Sequence, residues 1–358
     1  MKRLRVAIIG QGRSGRDIHA AHLKGDTERF EIVAAVDPLP ERRERAAAEL
    51  ACETHASHKA LLGRRDIDLV VNAAPSRHHV PITLELLNAG LHVLCEKPLA
   101  SRVADVDRLV EAARRAGRVL AVFQQSRFSP AFRRMREVIA SGLLGEIVQV
   151  NIAFSGFSRR YDWQTLRAEM GGALLNTGPH PLDQALQLFG DATEPDVRCW
   201  MRLATALGDA EDHAIVVLSA PGRPIVQVEV SGCRRIVGPT YTVYGTRGGL
   251  SGDTSRLEWS WYDPAEAPPV SLTTTPLSKA DGTPAYCSDA LVWHTDGWQA
   301  PEGFDLFGSM SAAAYAMLHR VLTEGAPLEV TVEQVRRQIA VIEECQRQNP
   351  HIYPPSGG

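Results

Sequence analysis

Leu4-Arg-Val-Ala-Ile-Ile-Gly10-Gln-Gly12-Arg-Ser-Gly15 joins a short apolar run directly to a glycine-rich turn. The apolar run is typical of a buried strand. The first glycine of such a turn permits a tight bend, the second lets a pyrophosphate approach the backbone, and the third lets a helix pack closely on the strand. Because the N-terminus of the following helix offers free N–H groups to phosphates, the segment predicts a dinucleotide site that includes Arg13 and Ser14.

Strand and helix signals alternate through the first 125 residues. The expected strands are Leu4–Ile9, Glu31–Val36, Leu69–Ala74, Leu91–Cys95 and Val119–Phe123. The expected helices are one that begins within the glycine turn, Glu41–Leu50, Val80–Ala89, and one that Ser101 N-caps and Gly117 ends. Short apolar strands that are each followed by a helix imply a parallel sheet covered on both faces. We therefore predict an α/β fold with an N-terminal Rossmann dinucleotide-binding domain over 1–125.

The pattern changes in the remainder, which we expect to form a second domain over 126–358. A helix is predicted over Pro130–Ala140, and a last helix begins with a capping box of Thr331 and Gln334. Strands separated by turn residues indicate a largely antiparallel open sheet, the α+β part of the chain. These strands are expected at Ile147–Phe154, Val197–Leu203, Ala214–Leu218, Ile225–Cys233 and Thr240–Gly245. The irregular stretch Asp263–Asp305 is interpreted as a surface excursion or an active-site cover.

Bulk composition limits the classes of partner. The 358 residues suit two domains, and 39 basic against 42 acidic residues give a formal charge of −3, which argues against nucleic acid and anionic membranes. No apolar run approaches the ~18 residues of a membrane span, and Met1 precedes the first strand too closely for a signal peptide. Six scattered cysteines without a CxxC pair fit reduced thiols. We expect a cytoplasmic protein, and no metal because the histidine pairs lack a third ligand.

Asp37 follows the second predicted strand, 22 residues after Gly15. An acidic side chain at this distance can hydrogen-bond the adenosine ribose hydroxyls of a dinucleotide. Its carboxylate would repel a 2′-phosphate, so the sequence favours NAD over NADP. Arg42 and Arg43 leave NADP open, because either could pair with that phosphate.

Several motifs make the chain similar to the Gfo/Idh/MocA family of nicotinamide-dependent oxidoreductases, which includes glucose–fructose oxidoreductase and inositol dehydrogenase. The matching pieces are Gly10–Gly15, Ala74-Pro75 with His79, Gly90-Leu-His-Val-Leu-Cys-Glu96-Lys97-Pro98, Gln125-Ser-Arg127-Phe128, Gly171-Gly-Ala-Leu-Leu-Asn176-Thr-Gly178-Pro-His180-Pro-Leu-Asp183, and the last helix. The resemblance implies that Ala74, Pro75, His79, Glu96, Lys97 and Pro98 help to bind the cofactor. It also implies a homodimer or homotetramer formed through the open sheet, and a sugar, cyclitol or related polyol as substrate.

The resemblance further implies that Lys97 and His180 are catalytic. Lys97 would hydrogen-bond the reacting hydroxyl, and a cis proline at position 98 would aim it inward. His180 would accept the hydroxyl proton while hydride passes to the nicotinamide. Its position near a helix N-terminus, with Pro181 as the first helical residue, also favours a neutral imidazole.

The substrate site is predicted less directly. Asn176 departs from the aspartate that many relatives carry four residues before the histidine. It either orients His180 through its amide or binds a substrate hydroxyl. Arg127, Tyr161 and Trp163 are further candidates, since aromatic faces and polar groups together suit carbohydrate. Asp183 is expected either to assist His180 or to interact with the helix dipole.

The sequence therefore predicts an NAD-dependent dehydrogenase that oxidises a secondary hydroxyl of a sugar, sugar derivative or cyclitol. One alternative is redox-neutral glycoside cleavage or epimerisation with transient use of tightly bound NAD. The other alternative is a regulator that senses sugar and NAD without catalysis.

Overall fold

The first part of the chain forms a parallel sheet. This computed structural model describes residues 2–191 and 193–355. The strands of the first sheet are β1 (Leu4–Ile9), β2 (Phe30–Val36), β3 (Glu53–His55), β4 (Leu69–Asn72), β5 (Val93–Cys95) and β6 (Leu120–Val122). Their order is β3-β2-β1-β4-β5-β6, and every neighbouring pair is parallel. This is the order of a doubly wound Rossmann sheet, in which ligands bind where β1 and β4 end side by side. The predicted fold class is confirmed.

Helices connect these strands. Ser14–Ala20 is wound as a π-helix and continues as α1 (Ala21–Gly25), and α2 (Pro40–Leu50), α3 (His79–Asn88) and α4 (Val103–Ala116) follow. Single 3-10 turns cover His58–Leu61, Ser76–His78 and Gln125–Phe128. The predicted helix N-cap at Ser101 is wrong, because α4 begins at Val103 and its first N–H donates to Glu343 Oε2 at 2.9 Å. A side chain from the far end of the chain replaces the local cap.

The second sheet is larger and mostly antiparallel. Its strands are β7 (Ile147–Ser155), β8 (Asp196–Arg202), β9 (His213–Ser219), β10 (Ile225–Ser231), β11 (Tyr241–Gly245), β12 (Gly248–Gly252), β13 (Arg256–Tyr262) and β14 (Trp293–Gln299). Their order is β14-β13-β12-β11-β7-β10-β9-β8, and within the described part of this second sheet only β7 and β10 pair in parallel. The prediction of a largely antiparallel sheet is confirmed.

Further helices follow in the rest of the chain. They are α5 (Pro130–Ala140), α6 (Ala173–Asn176), α7 (Pro179–Phe189), α8 (Leu306–Glu324) and α9 (Val332–Arg347), with 3-10 turns at Trp163–Thr165 and Arg167–Glu169. Helices α5, α6, α7 and α9 contact strands of the second sheet, and every second residue of β9 is buried. The capping box of Thr331 and Gln334 at the start of α9 is confirmed.

The stretch from Asp263 to Asp305 is more ordered than predicted. Its last part forms the edge strand β14, whose side chains are mostly exposed on both faces, so no alternating pattern marks it in the sequence. Helix α8 was also not predicted. Most of this helix lies between other elements and lacks a distinct polar face, although Asp305 caps its start and Gly325 its end.

The last two helices return to the Rossmann sheet. Tyr315 of α8 packs against Phe30 and Phe123, with ring centroids 5.4 and 5.9 Å away. Helix α9 contacts β6 and α4. The division into 1–125 and 126–358 stays a prediction, because these helices belong to both cores.

Candidate active site

The three glycines of the first turn have different surroundings. Gly10 has φ +86°, and a Cβ there would lie 2.3 Å from the carbonyl oxygen of Ala73. A Cβ on Gly15 would lie 1.7 Å from the carbonyl oxygen of Gly10, so close packing demands glycine. At Gly12 the nearest atom to a Cβ would be 3.6 Å away, on the Arg42 guanidinium. The space beside Gly12 is therefore open, as the approach of a pyrophosphate requires.

Asp37 directly follows β2, beside this turn. Its buried carboxylate accepts from the N–H groups of Gln11 at 2.8 Å and Leu39 at 3.0 Å, and lies 3.4 Å from Arg42 Nη1. Arg43 donates to the carbonyl oxygens of Asp37 and Pro38. The Asp37 carboxylate, which would repel a 2′-phosphate, and the Arg42 guanidinium, which could pair with one, lie side by side. This geometry therefore does not distinguish NAD from NADP.

His79 connects two loops at the carboxyl edge of the sheet. Its Nδ1 lies 2.7 Å from the carbonyl oxygen of Pro98, and its Nε2 lies 2.8 Å from that of Ala74. Burial lowers the pKa of His79. The peptide bond between Lys97 and Pro98 is cis, as predicted. The predicted cofactor residues after β4 and β5 therefore lie together at one edge.

Lys97 extends from the end of β5 towards the second domain. Its Nζ donates to the carbonyl oxygen of Asn176 at 2.8 Å. Burial lowers the pKa of Lys97, the charge of Glu96 opposes this, and the charges of Arg13 and Arg160 lower it further. Lys97 is thus partly buried, its affinity for a proton is lowered, and its ammonium contacts the helix turn that precedes His180.

His180 lies in the first turn of α7, which begins at Pro179, two residues before the predicted start. Its Nδ1 lies 3.1 Å from Ser126 Oγ. Burial lowers the pKa of His180 to about 3, and the charge of Lys97 contributes to this shift. The imidazole is therefore neutral at ordinary pH, and Lys97 lies near enough for its charge to contribute to this state.

Asn176 contacts Lys97 rather than His180. Its carbonyl oxygen accepts from Lys97, and its side-chain Oδ1 accepts from Gln164 Nε2 at 3.0 Å. Ser126, which the sequence did not single out, is the hydrogen-bond partner of His180 instead. Nothing in the sequence pattern reveals this contact, since the two residues are brought together by the packing of α7 on the Gln125–Phe128 turn.

Arg127 and Asp183 form a buried ion pair. Arg127 Nε donates to Asp183 Oδ2 at 2.6 Å and Nη2 donates to Oδ1 at 2.5 Å. Arg127 Nη1 donates to the carbonyl oxygen of Glu329 and to Gln334 Oε1. This corrects the prediction that Arg127 binds substrate, because the guanidinium is directed into the protein. It also corrects the idea that Asp183 assists His180.

The aromatic candidates lie in the loop after β7. Tyr161 is 83% exposed and Trp163 is 41% exposed, so both present free faces to solvent. Trp293 and Trp298 lie on β14. Three strands separate β14 from β7, so these two residues are remote from that loop.

A buried polar cluster lies behind Lys97, and the sequence indicated only one of its members. Glu96 Oε1 lies 3.2 Å from His19 Nε2, and His19 Nδ1 lies 2.7 Å from the hydroxyl of Tyr315. Glu96 Oε2 accepts from the Lys97 N–H at 3.0 Å. Burial alone would raise the pKa of Glu96, but the hydrogen bond and charge of His19 and the charge of Lys97 bring it to about 2. An ionised carboxylate is thus fixed directly behind the lysine.

The position of His19 in the sequence could have indicated that it lies at the site. It stands four residues after Gly15 on the helix that leaves the glycine turn, so helical geometry directs it back towards the sheet. No such indication exists for Tyr315, because it lies on α8, which is distant in the sequence.

Two features are absent from the part of the chain that the structure describes. Within residues 2–191 and 193–355, no three histidine, cysteine, aspartate or glutamate side chains lie close enough together to hold a metal ion. In the same ranges, no helix has the length and apolar character needed to cross a membrane.

Family models match both halves of the chain. Residues 4–124 match a model described as oxidoreductase family, NAD-binding Rossmann fold. Residues 132–251 match the GFO/IDH/MocA C-terminal domain. Together the two matches cover most of the sequence, including the glycine turn, Lys97 and His180.

Individual relatives agree with these matches. The chain is 32% identical over 251 residues to dTDP-3,4-didehydro-2,6-dideoxy-alpha-D-glucose 3-reductase of Streptomyces violaceoruber, covering 70% of each protein. It is 28% identical over 348 residues to inositol 2-dehydrogenase 2 of Saccharopolyspora erythraea, covering 91% of this chain and 96% of that one. Its fold is similar to that of the WlbA dehydrogenase from Bordetella pertussis, crystallised with NADH and UDP-GlcNAcA. The TM-score is 0.77 at 20% identity, over 98% of this chain and 96% of that chain.

Proposed function

The chain belongs to the Gfo/Idh/MocA family of NAD-binding oxidoreductases, and on this premise we propose that it is an NAD-dependent dehydrogenase of sugars or cyclitols. It oxidises a secondary hydroxyl, with Lys97 and His180 as the acid–base pair. The names of its relatives, a reductase of a dTDP-linked sugar and an inositol dehydrogenase, support this substrate class.

One observation carries the proposal. The hydrogen bond from Lys97 Nζ to the carbonyl oxygen of Asn176 joins the end of β5 to the helix turn before His180. A cation from the Rossmann domain and a neutral imidazole from the second domain therefore border the same space. A hydroxyl group placed there can donate its proton to one group while the other stabilises the resulting negative charge.

The environment of His180 favours its neutral form. Burial lowers the pKa of His180 to about 3, and the positive charge of Lys97 adds to this shift. In the tautomer that carries its proton on Nδ1, His180 donates to Ser126 Oγ and keeps the Nε2 lone pair free to accept the substrate proton. Lys97, held as an ammonium by Glu96 behind it, stabilises alkoxide character on the substrate oxygen.

The residues around the glycine turn fit a dinucleotide. We propose that Gly10, Gly12, Arg13, Ser14 and Gly15 hold its phosphates, that Asp37 binds its adenosine ribose, and that Ala74, Pro75, His79, Glu96, Lys97 and Pro98 surround its nicotinamide end. The open space at Gly12 supports this assignment. Bound nicotinamide accepts or returns the hydride. We favour NAD over NADP because the carboxylate of Asp37 would repel a 2′-phosphate.

The substrate side is formed by the second domain. We propose that Asn176 places a hydroxyl-binding amide beside Lys97, and that Tyr161 and Trp163 offer apolar faces to the sugar ring. We further propose that the protein works in the cytoplasm as a homodimer or homotetramer, with the open face of its second sheet as the contact.

A substrate panel tests the proposed function. Purified protein is incubated with NAD or, separately, NADP and with monosaccharides, glycosides and inositols, while the absorbance of reduced nicotinamide is followed. We expect the signal to grow with one substrate class and with NAD in preference to NADP. A silent panel whose products are cleaved or epimerised sugars would contradict the dehydrogenase and support redox-neutral turnover. A silent panel with unchanged sugars would contradict catalysis altogether.

A further inference from the structure

Two adjacent loops each carry a pair of neighbouring arginines. Arg159 and Arg160 follow β7, and Arg234 and Arg235 follow β10. The two strands are parallel, so both loops leave the same end of the sheet. An antiparallel bridge between Phe157 and Cys233 then holds the loops together. We call these four residues, Arg159, Arg160, Arg234 and Arg235, the arginine rim.

The arginine rim borders the candidate active site. Arg160 Nη2 hydrogen-bonds to Gln164 Oε1, and Gln164 Nε2 donates to Asn176 Oδ1 at 3.0 Å. Asn176 in turn accepts from Lys97 Nζ at 2.8 Å. The charge of Arg160 reaches far enough to lower the pKa of Lys97. Two residues, Asn176 and Gln164, thus connect Lys97 to Arg160. A ligand whose reactive end lies at Lys97 therefore also reaches the rim.

Neighbouring carboxylates pair with only half of the arginine rim, within the residues that the structure describes. Arg160 pairs with Asp162, and Arg234 lies 3.5 Å from Glu229. Within the part of the chain that the structure describes, the side chains of Arg159 and Arg235 have no hydrogen-bond acceptor or acidic partner. Because the whole protein has a formal charge of −3, this cationic rim is a local feature and not a consequence of overall composition.

Exposed apolar side chains accompany the arginines. Phe157 is 53% exposed, Tyr161 is 83% exposed and Ile236, next to Arg235, is 87% exposed. Arginine forks match the geometry of phosphate oxygens, and free aromatic faces stack on nucleobases. A neutral sugar or cyclitol would use neither the unpaired guanidinium groups nor so many exposed faces.

We propose that the arginine rim binds the diphosphate of a nucleoside-diphosphate-linked sugar. The sugar ring then lies at Lys97 and His180, and the base stacks on the exposed side chain of Phe157 or Tyr161. The position of the sugar ring rests on the proposed function, whereas the diphosphate site stands on the rim alone.

Binding of a nucleoside diphosphate without a sugar tests the site independently of catalysis. UDP and dTDP are titrated calorimetrically into the full-length protein in the presence of NAD, beside inorganic pyrophosphate and glucose 1-phosphate. The test variant R159E/R235E reverses the two unpaired charges. The matched control R65E/R223E makes the same change in charge at two other exposed arginines, and Arg223 precedes β10 at its opposite end. Thermal unfolding checks that both variants fold.

We expect UDP or dTDP to bind the wild type more tightly than pyrophosphate or glucose 1-phosphate. R159E/R235E should weaken this binding by about ten- to a hundredfold, R159K/R235K less, and the control hardly at all. Added salt should weaken the wild-type complex more than the reversed variant.

Two results would overturn the diphosphate site. They are a wild type that binds neither nucleoside diphosphate, and equal weakening in the test and control variants. Pyrophosphate that binds as tightly as UDP would overturn the stacking of the base on Phe157 or Tyr161. Failure of the proposed function looks different. A protein that binds UDP through the rim but reduces no NAD with any UDP-linked sugar retains the diphosphate site and loses the dehydrogenase.

Discussion

Two buried glutamates on opposite sides of the candidate active site have opposite electrostatic environments. Glu96, 5% exposed, lies on the Rossmann side, and Glu211, 2% exposed, lies in the second domain. His19 and Lys97 surround Glu96 and bring its pKa to about 2 although burial opposes them. Burial raises the pKa of Glu211 to about 7, because only the Tyr353 hydroxyl and backbone N–H groups act against it.

The difference shows that the two domains contribute differently to the site. The Rossmann side supplies a fixed negative charge that supports the Lys97 ammonium. On the other side, Glu211 Oε1 accepts from the Leu174 N–H at 2.8 Å and its carbonyl oxygen accepts from the Ala173 N–H at 2.7 Å. Glu211 thus fixes the start of the short helix that ends at Asn176, which is a task of shape and not of charge.

Removing the Lys97 ammonium or the His180 imidazole should have the largest effect on turnover. We expect Lys97→Met, and likewise His180→Asn, to lower turnover by about a hundred- to ten-thousandfold, because each removes one half of the acid–base pair. Turnover is measured with the substrate found in the panel, and cofactor affinity by fluorescence titration. Binding of NAD should persist in both variants. Lys59→Met, at an exposed lysine, is the control, and near-normal turnover of both site variants would refute the acid–base assignment.

Neutralising Glu96 should have an intermediate effect. Glu96→Gln keeps an oxygen acceptor for His19 but removes the charge that raises the pKa of Lys97. We expect turnover to fall by about tenfold. The basic limb of the kcat/KM profile should also move to lower pH, since Lys97 would lose its proton earlier. A basic limb that stays in place would show that Glu96 does not support the lysine charge. Glu85→Gln, on the surface of α3, provides the comparison.

Neutralising Glu211 should have the smallest effect on turnover and should instead change the pH dependence of stability. A folded-state pKa of about 7, above the usual 4.5, means that Glu211 stabilises the protein at low pH and that this contribution is lost as pH rises through that interval. Glu211→Gln cannot titrate, so it should reduce the difference in unfolding free energy between about pH 5 and about pH 8 by about 1–2 kcal/mol. Urea unfolding at several pH values measures this, and parallel curves for wild type and variant would contradict the assignment.

The sequence alone predicted most of the Rossmann half because its signals are local. The strand and glycine turn at Leu4–Gly15 and the end of β5 at Lys97 depend on residues that are close in the chain. The family motifs then indicated which of these residues to regard as cofactor or catalytic candidates. The same motifs misassigned Arg127, because its partner Asp183 lies 56 positions away and no short motif encodes that contact.

The tertiary structure decided how the catalytic candidates are held. His19, Ser126 and Tyr315 complete the surroundings of Lys97 and His180, and each is brought there by packing between separate elements. Packing between separate elements also provides the cap of α4 by Glu343 and the pairing of the edge strand β14 with β13. Sequence patterns report periodicity and turns over a few residues, which were sufficient to identify the fold class and the reactive side chains. Hydrogen-bond partners and burial, and therefore the protonation states on which the chemistry depends, are properties of contacts between distant parts of the chain.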